Sequence, residues 1–297
     1  MQRRLAFSNL LAQLTADRLP EVLALIAQAA PVYDLHAEHE MLWERWGELD
    51  GPAACQAIFE KDARFEHTGI SQKTIEAWSR QNPQAASAWL MAQQDIPLKA
   101  SMMRGVLDGY AFCDPAGAHD FIRSELADAA LKDHGYWRVA RSQLVEKGLT
   151  GVQDYFARFD KSDANYKQLT FTVADIFTDA GSREALQWMA GLEAGNREQV
   201  SGYMLGRLIN DRPDDLVRTL AGSEATGGMN RQEVISQAVA AWTKVNPDDM
   251  GLWLRDNRQA PHYDEIAAAY VNHIRSVDPA AAEAWSKTIK NPASSRE

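Results

Sequence analysis

One short phrase recurs along this 297-residue chain at nearly fixed spacing, and it constrains the fold more tightly than any other feature. It reads Ala77-Trp78-Ser79-Arg80-Gln81-Asn82-Pro83-Gln84-Ala85-Ala86, followed by Trp89-Leu90. It returns as Tyr110 to Asp114-Pro115 with Phe121-Ile122, as Trp242 to Asn246-Pro247 with Trp253-Leu254, and as Asp278-Pro279-Ala280-Ala281-Ala282 with Trp285. Weaker copies turn on Asp50-Gly51-Pro52, Gly148, Gly181 and Arg212-Pro213. The pivots fall at 50, 82, 114, 148, 181, 212, 246 and 278, so neighbours are 31 to 34 residues apart.

Each position in the unit has a physical role. Four residues before the pivot stands a bulky apolar residue in most copies, as in Trp46, Trp78, Tyr110, Phe177 and Trp242. Four after it the residue is always apolar and often small, and seven after it an aromatic stands in six of the eight copies. Positions +4 and +7 share a helix face, and −4 lies in the last turn of the helix before. Asn or Asp directly before Pro is a helix N-cap followed by proline at the first helical position. The unit therefore reads as helix, tight turn, helix.

Few breakers interrupt the dozen residues upstream of each pivot, and no run alternates long enough to make a strand. These patterns predict an all-α chain, an α-solenoid of about eight helix–turn–helix repeats of 31 to 34 residues. Residues 1–30 are expected to cap it with two helices divided near Leu19-Pro20, residues 31–286 to form the array, and residues 287–297 to be a polar tail. The period is close to that of tetratricopeptide repeats, without their Trp, Gly and Tyr pattern.

The phrase more closely resembles the W-x3-(D/N)-P-x-A-A-x-x-W-L tandem repeat of largely uncharacterised bacterial proteins. Leu42-Trp43-Glu44-Arg45-Trp46-Gly47-Glu48-Leu49-Asp50 is also similar to the first repeat of such proteins. The likeness covers residues 31–286, is strongest at 82, 114, 246 and 278, and departs at 148 and 181, where the Asp/Asn-Pro cap is missing. It implies a helical-repeat architecture and a scaffolding role, and it brings no catalytic residues.

Composition narrows the partners. Asp and Glu outnumber Lys and Arg by 41 to 31, a formal charge of −10 that disfavours nucleic acid and anionic membrane surfaces. Hydrophobic residues at 45%, with nine Trp, provide a sizeable core. Two cysteines, Cys55 and Cys113, make neither a disulfide framework nor a four-cysteine zinc site. Met1-Gln2-Arg3-Arg4 has the charge of a leader, but Ser8, Asn9 and Gln13 interrupt the apolar run after it, which reads as an amphipathic helix. As written, the chain is expected to be cytoplasmic, without membrane insertion; a periplasmic or anchored parent would leave the same sequence once trimmed.

Catalytic signatures are missing: there is no phosphate loop, no dinucleotide fingerprint, no CxxC and no GxSxG elbow. No catalytic residue and no cofactor is expected. His36, His39 and Glu40 sit at i, i+3 and i+4 on a helix, where they would converge on one metal ion; the alternative packs His39 beside Trp43 and Trp46. Arg104 and Arg138 each fall ten residues before a pivot, so stacked units would place them on one face. With Tyr136, Trp137 and Tyr166 nearby they form a candidate binding patch, because Arg, Trp and Tyr dominate interface hot spots. The leading expectation is a protein- or peptide-binding scaffold using a concave helical face. An acidic surface favours basic partners, while the arginine pair would anchor an acidic one, and both signs stay open. The alternative is an enzyme with a pocket between repeats, of no derivable reaction class.

Overall fold

The computed structural model describes residues 2–29, 34–60, 68–93, 98–224, 226 and 228–290, and every regular element among them is helical. In chain order these are α1 (Gln2–Leu11), a 3-10 turn (Ala16–Arg18), α2 (Leu19–Ala29), α3 (His36–Leu49), α4 (Gly51–Glu60), α5 (Thr68–Gln81), α6 (Pro83–Ala92), α7 (Lys99–Cys113), α8 (Pro115–Glu125) and α9 (Ala129–Arg158). They continue as α10 (Tyr166–Ala180), α11 (Ser182–Ala190), α12 (Ala194–Asp211), α13 (Pro213–Gly222), α14 (Arg231–Val245), α15 (Pro247–Asp256), α16 (Tyr263–Ile274) and α17 (Pro279–Ser286). The expected polar tail beyond Lys290 lies outside the described residues. The chain divides into two compact units, Met1–Leu169 and Thr170–Glu297, a division that the even spacing of the pivots does not announce.

Six of the eight pivots fold alike. Asp50, Asn82, Asp114, Arg212, Asn246 and Asp278 share one backbone conformation, with φ between −151° and −137° and ψ between 59° and 84°. A single residue thus turns one helix into the next. Its N–H closes the last turn of the first helix on the carbonyl four residues back, and its own carbonyl opens the second helix four residues on. The side chains of Asp50, Asn82, Asp114, Asn246 and Asp278 each accept the N–H three residues later at 2.9–3.2 Å, and proline starts the helix after four of these five without a wasted donor.

At 148 and 181 glycine makes the turn by other means. Gly148 (φ 66°, ψ −160°) and Gly181 (φ 148°, ψ 167°) occupy a region essentially closed to residues with a Cβ. Gly148 accordingly folds α9 into two arms, 129–147 and 149–158, so that this long helix is itself a hairpin.

Across each turn the predicted side chains meet. The −4 and +7 rings pair as Trp78–Trp89, Tyr110–Phe121, Phe177–Trp188 and Trp242–Trp253, with centroids 5.2–6.0 Å apart. Each such pair contributes about 0.5–1.5 kcal/mol beyond its buried area. All eight +4 residues are buried, from Ala54 to Ala282. The Trp set is less uniform than its spacing suggests: Trp89 and Trp285 are half-buried, while Trp188 and Trp253 at the same place in their hairpins are buried.

In the first unit α3 packs on α5, α5 on α7 and α7 on α9, while α4, α6 and α8 each sit between their own first helix and the next one. Polar ties run across these contacts: Lys73 reaches Glu40 at 2.8 Å, and the Ser79 hydroxyl donates to the Val106 carbonyl at 2.8 Å. At the start of the chain Leu19, Leu23 and Ile26 of α2 join Leu42, Trp43 and Trp46 in one apolar cluster. The segment read as an amphipathic helix is helical as α1, where Phe7 and Leu11 face that cluster while Leu5 and Leu10 are exposed. An ion pair adds to this hold, Arg3 Nε on the buried Glu38 at 2.6 Å.

In the second unit α12 packs on α14 and α14 on α16, with α13 against α14. Arg231 secures that packing with three bonds of 2.7 Å, to Glu265 and to the carbonyls of Leu220 and Ser223, which are orphan acceptors at the end of α13. Among the described residues no helix is long and apolar enough to cross a membrane.

Candidate binding cleft over α7, α8 and α9

The turn at Asp114 and the first arm of α9 leave a cleft of about 580 Å³ between them, entirely within the first unit. Phe112 and Cys113 at the end of α7, Pro115 and Ala116 at the start of α8, and Arg138, Arg141, Val145 and Lys147 of α9 line it. A second lobe of about 300 Å³ adjoins it, sharing Pro115, Ala116, Gln143 and Lys147, and runs on to His119, Tyr155, Arg158 and Phe159. Gly148 creates this second lobe, since its turn brings the 149–158 arm back over α8.

Two apolar side chains at the rim stand in water. Phe112 is 66% exposed, with the Arg80 guanidinium over its ring, and Val145 is 86% exposed. Val145 stands three residues before its pivot, and the residues at the same place in the preceding hairpins, Gly47, Ser79 and Ala111, are buried.

The arginines are held from below. Trp137, 36% exposed, carries the guanidinium of Arg138 at 5.5 Å and that of Arg141 at 5.4 Å from its ring. Each stack contributes about 0.5–1 kcal/mol at such a site. Arg138 also lies 2.9 Å from the buried Asp108, whose carboxylate accepts from His134 at 2.7 Å and from Gln72 at 3.4 Å. Asp108 thus joins α5, α7 and α9 in one polar network. Arg141 has no carboxylate partner among the described residues, and the same holds for the exposed Arg104 and Arg158.

The second lobe is aromatic. His119 Nδ1 lies 3.2 Å from the Tyr155 hydroxyl, and its ring packs on Tyr136, Tyr155 and Phe159. Burial lowers the His119 pKa, against the opposing pull of Asp120, so the imidazole is neutral at pH 7. Burial likewise raises the Tyr155 hydroxyl well above its ordinary range.

The patch read from sequence is split. Arg104, Trp137 and Arg138 are on the surface, but Tyr136 is 1% exposed and belongs to the core. Its ring meets Phe159 at 4.7 Å and its hydroxyl donates to Asp163 at 3.4 Å. Tyr166 stacks on Phe156 at 5.4 Å, in the same aromatic cluster. Adjacent residues on a helix point about 100° apart, so Tyr136 and Trp137 were bound to part company once one of them was buried.

His36, His39 and Glu40 do not converge. The His39 Nε2 accepts the Trp43 indole N–H at 3.0 Å, and Glu40 is drawn to Lys73 at 2.8 Å and to His36 at 3.4 Å. Among the described residues no group of three or more His, Cys, Asp or Glu is arranged to hold a metal ion. Burial pushes the Cys55 thiol up to about 12 and raises Cys113 as well, so neither is a thiolate at neutral pH.

The sequence reading missed Phe112, Arg141, Val145 and Lys147. One signal was available: Trp137 and Arg141 are four apart on a helix, the spacing at which a ring and a guanidinium meet. Compared with family models, with curated proteins and with solved structures, the chain matches none.

Proposed function

We propose that this chain is a protein- or peptide-binding scaffold, a solenoid of stacked helical hairpins whose receptor is the α7–α9 cleft. One observation carries the reading: exposed Phe112 and Val145 share a single cleft with Arg138 and Arg141, both braced on Trp137. Exposed apolar groups gathered at a concavity mark interaction sites, and pre-oriented Arg over Trp lowers the ordering cost of a contact. The open form of the cleft suits a chain segment better than a small enclosed ligand.

A photoreactive phenylalanine at position 145 tests this. In native lysate it is expected to yield one discrete adduct that the Phe112→Ser substitution abolishes. The same label at the equally exposed Val277 serves as the control. Absence of an adduct, or an identical pattern from position 277, would remove the cleft from consideration.

A further inference from the structure

Resting on that reading, we infer that the cleft takes a peptide segment carrying Asp or Glu next to a bulky apolar side chain. The chain as a whole carries −10, but most carboxylates that line the two lobes are engaged: Asp108 with His134 and Arg138, Asp114 as the cap of α8, Asp120 with Arg123 and Glu146 with Lys147, which leaves Arg141 and Arg158 against Asp154 among the described residues. Guanidinium groups left without a carboxylate in a concave site are a local attractor for an anionic segment, even on a chain of net negative charge.

The individual groups give this a geometry. Arg138 is already committed to Asp108 at 2.9 Å. Arg141 is fixed over Trp137 at 5.4 Å, faces the cleft, and meets no carboxylate among the described residues. A planar guanidinium held by its flat face keeps its N–H edge free for a two-point bond to a carboxylate. Lys147, shared by both lobes, pairs among the described residues with exposed Glu146 at 3.3 Å, a contact that a bound carboxylate would readily replace. Phe112 and Val145 at the rim, and His119 and Tyr155 in the second lobe, provide surfaces for the apolar neighbour. His119 is neutral at pH 7 and so adds no cost to an apolar group beside it.

The test is a selection of random peptides displayed on phage against the full chain. It is followed by fluorescence anisotropy of the best synthetic peptide at about 50 and 300 mM salt. The expected sequences place Asp or Glu beside Phe, Leu or Trp. Their affinity should fall severalfold at the higher salt and at least tenfold with Arg141→Glu, with Arg141→Gln intermediate. Circular dichroism verifies that each variant is folded, and the Gln variant carries the test if the Glu variant is not. Neutral or basic peptides that lose affinity with Val145→Glu but ignore Arg141→Gln would overturn the acidic preference and leave the peptide cleft standing. Failure to enrich any peptide, or affinity indifferent to all three substitutions, would overturn both.

Discussion

Two glycine-to-alanine substitutions that look identical in sequence should move stability in opposite directions. Gly105 lies in the middle of α7, and a Cβ built there would fall 2.3 Å from the Gln72 carbonyl oxygen and 2.8 Å from Ile75 Cγ2, both on α5. Carbon settles against such an oxygen at about 3.3 Å or more, so α5 and α7 must part by about 1 Å. Because the obstruction is backbone, no side-chain rotation relieves it, and overpacking of this kind costs up to about 3 kcal/mol. Alanine recovers about 1 kcal/mol of helix propensity, which leaves a net loss of about 2 kcal/mol. Gly202, midway along α12, has nothing within 4 Å of its virtual Cβ, so Gly202→Ala should gain about 0.5–1 kcal/mol. Urea unfolding followed by far-ultraviolet circular dichroism gives both values, and hydrogen exchange of α5 and α7 locates the first. If Gly105→Ala proves as stable as the parent, the close α5–α7 packing described above is wrong.

Other substitutions probe single links of the account. Gly148→Ala should cost about 1–3 kcal/mol through backbone strain alone, since a Cβ there meets open space, and an unchanged urea midpoint would contradict the turn. Asp108→Asn removes the charge shared by His134 and Arg138 and should cost about 1.5–3 kcal/mol; a loss below about 0.5 kcal/mol would mean that the network does not bind the three helices. For His119, burial lowers the folded pKa below the unfolded 6.5, so the unfolded chain takes up the proton first as pH falls. Its contribution is complete above pH 6.5, declines as pH drops through the interval beneath it, and is constant again below the folded pKa. Comparing the parent with His119→Gln between pH 8 and pH 4.5 should show that added slope in the parent only, and parallel curves would refute it.

The hairpins could be read because their cause is local. Asn82-Pro83 or Asp278-Pro279 caps a helix with its own side chain, and the spacing from −4 to +7 fixes which rings meet across the turn. Gly148 and Gly181 were legible as pivots, though their backbone geometry was not, since glycine signals freedom without a direction. The cleft was harder to see. Val145 and Ala111 are equivalent letters in the unit, and only the packing around each decides that one is exposed and the other buried. Tyr136 is buried by Phe159, a residue from the far side of the α9 turn, and nothing next to it in sequence announces that contact. The His36–His39–Glu40 spacing permitted convergence, but Trp43 and Lys73 supplied better partners for two of the three.

Affinity capture with the parent chain and with a Phe112→Ser/Val145→Glu double variant, read by quantitative mass spectrometry, puts the binding role to the most direct test. One protein should be recovered in near-stoichiometric amount with the parent and lost with the folded variant. Recovery of the same proteins by both baits, or of none by the parent, would contradict it.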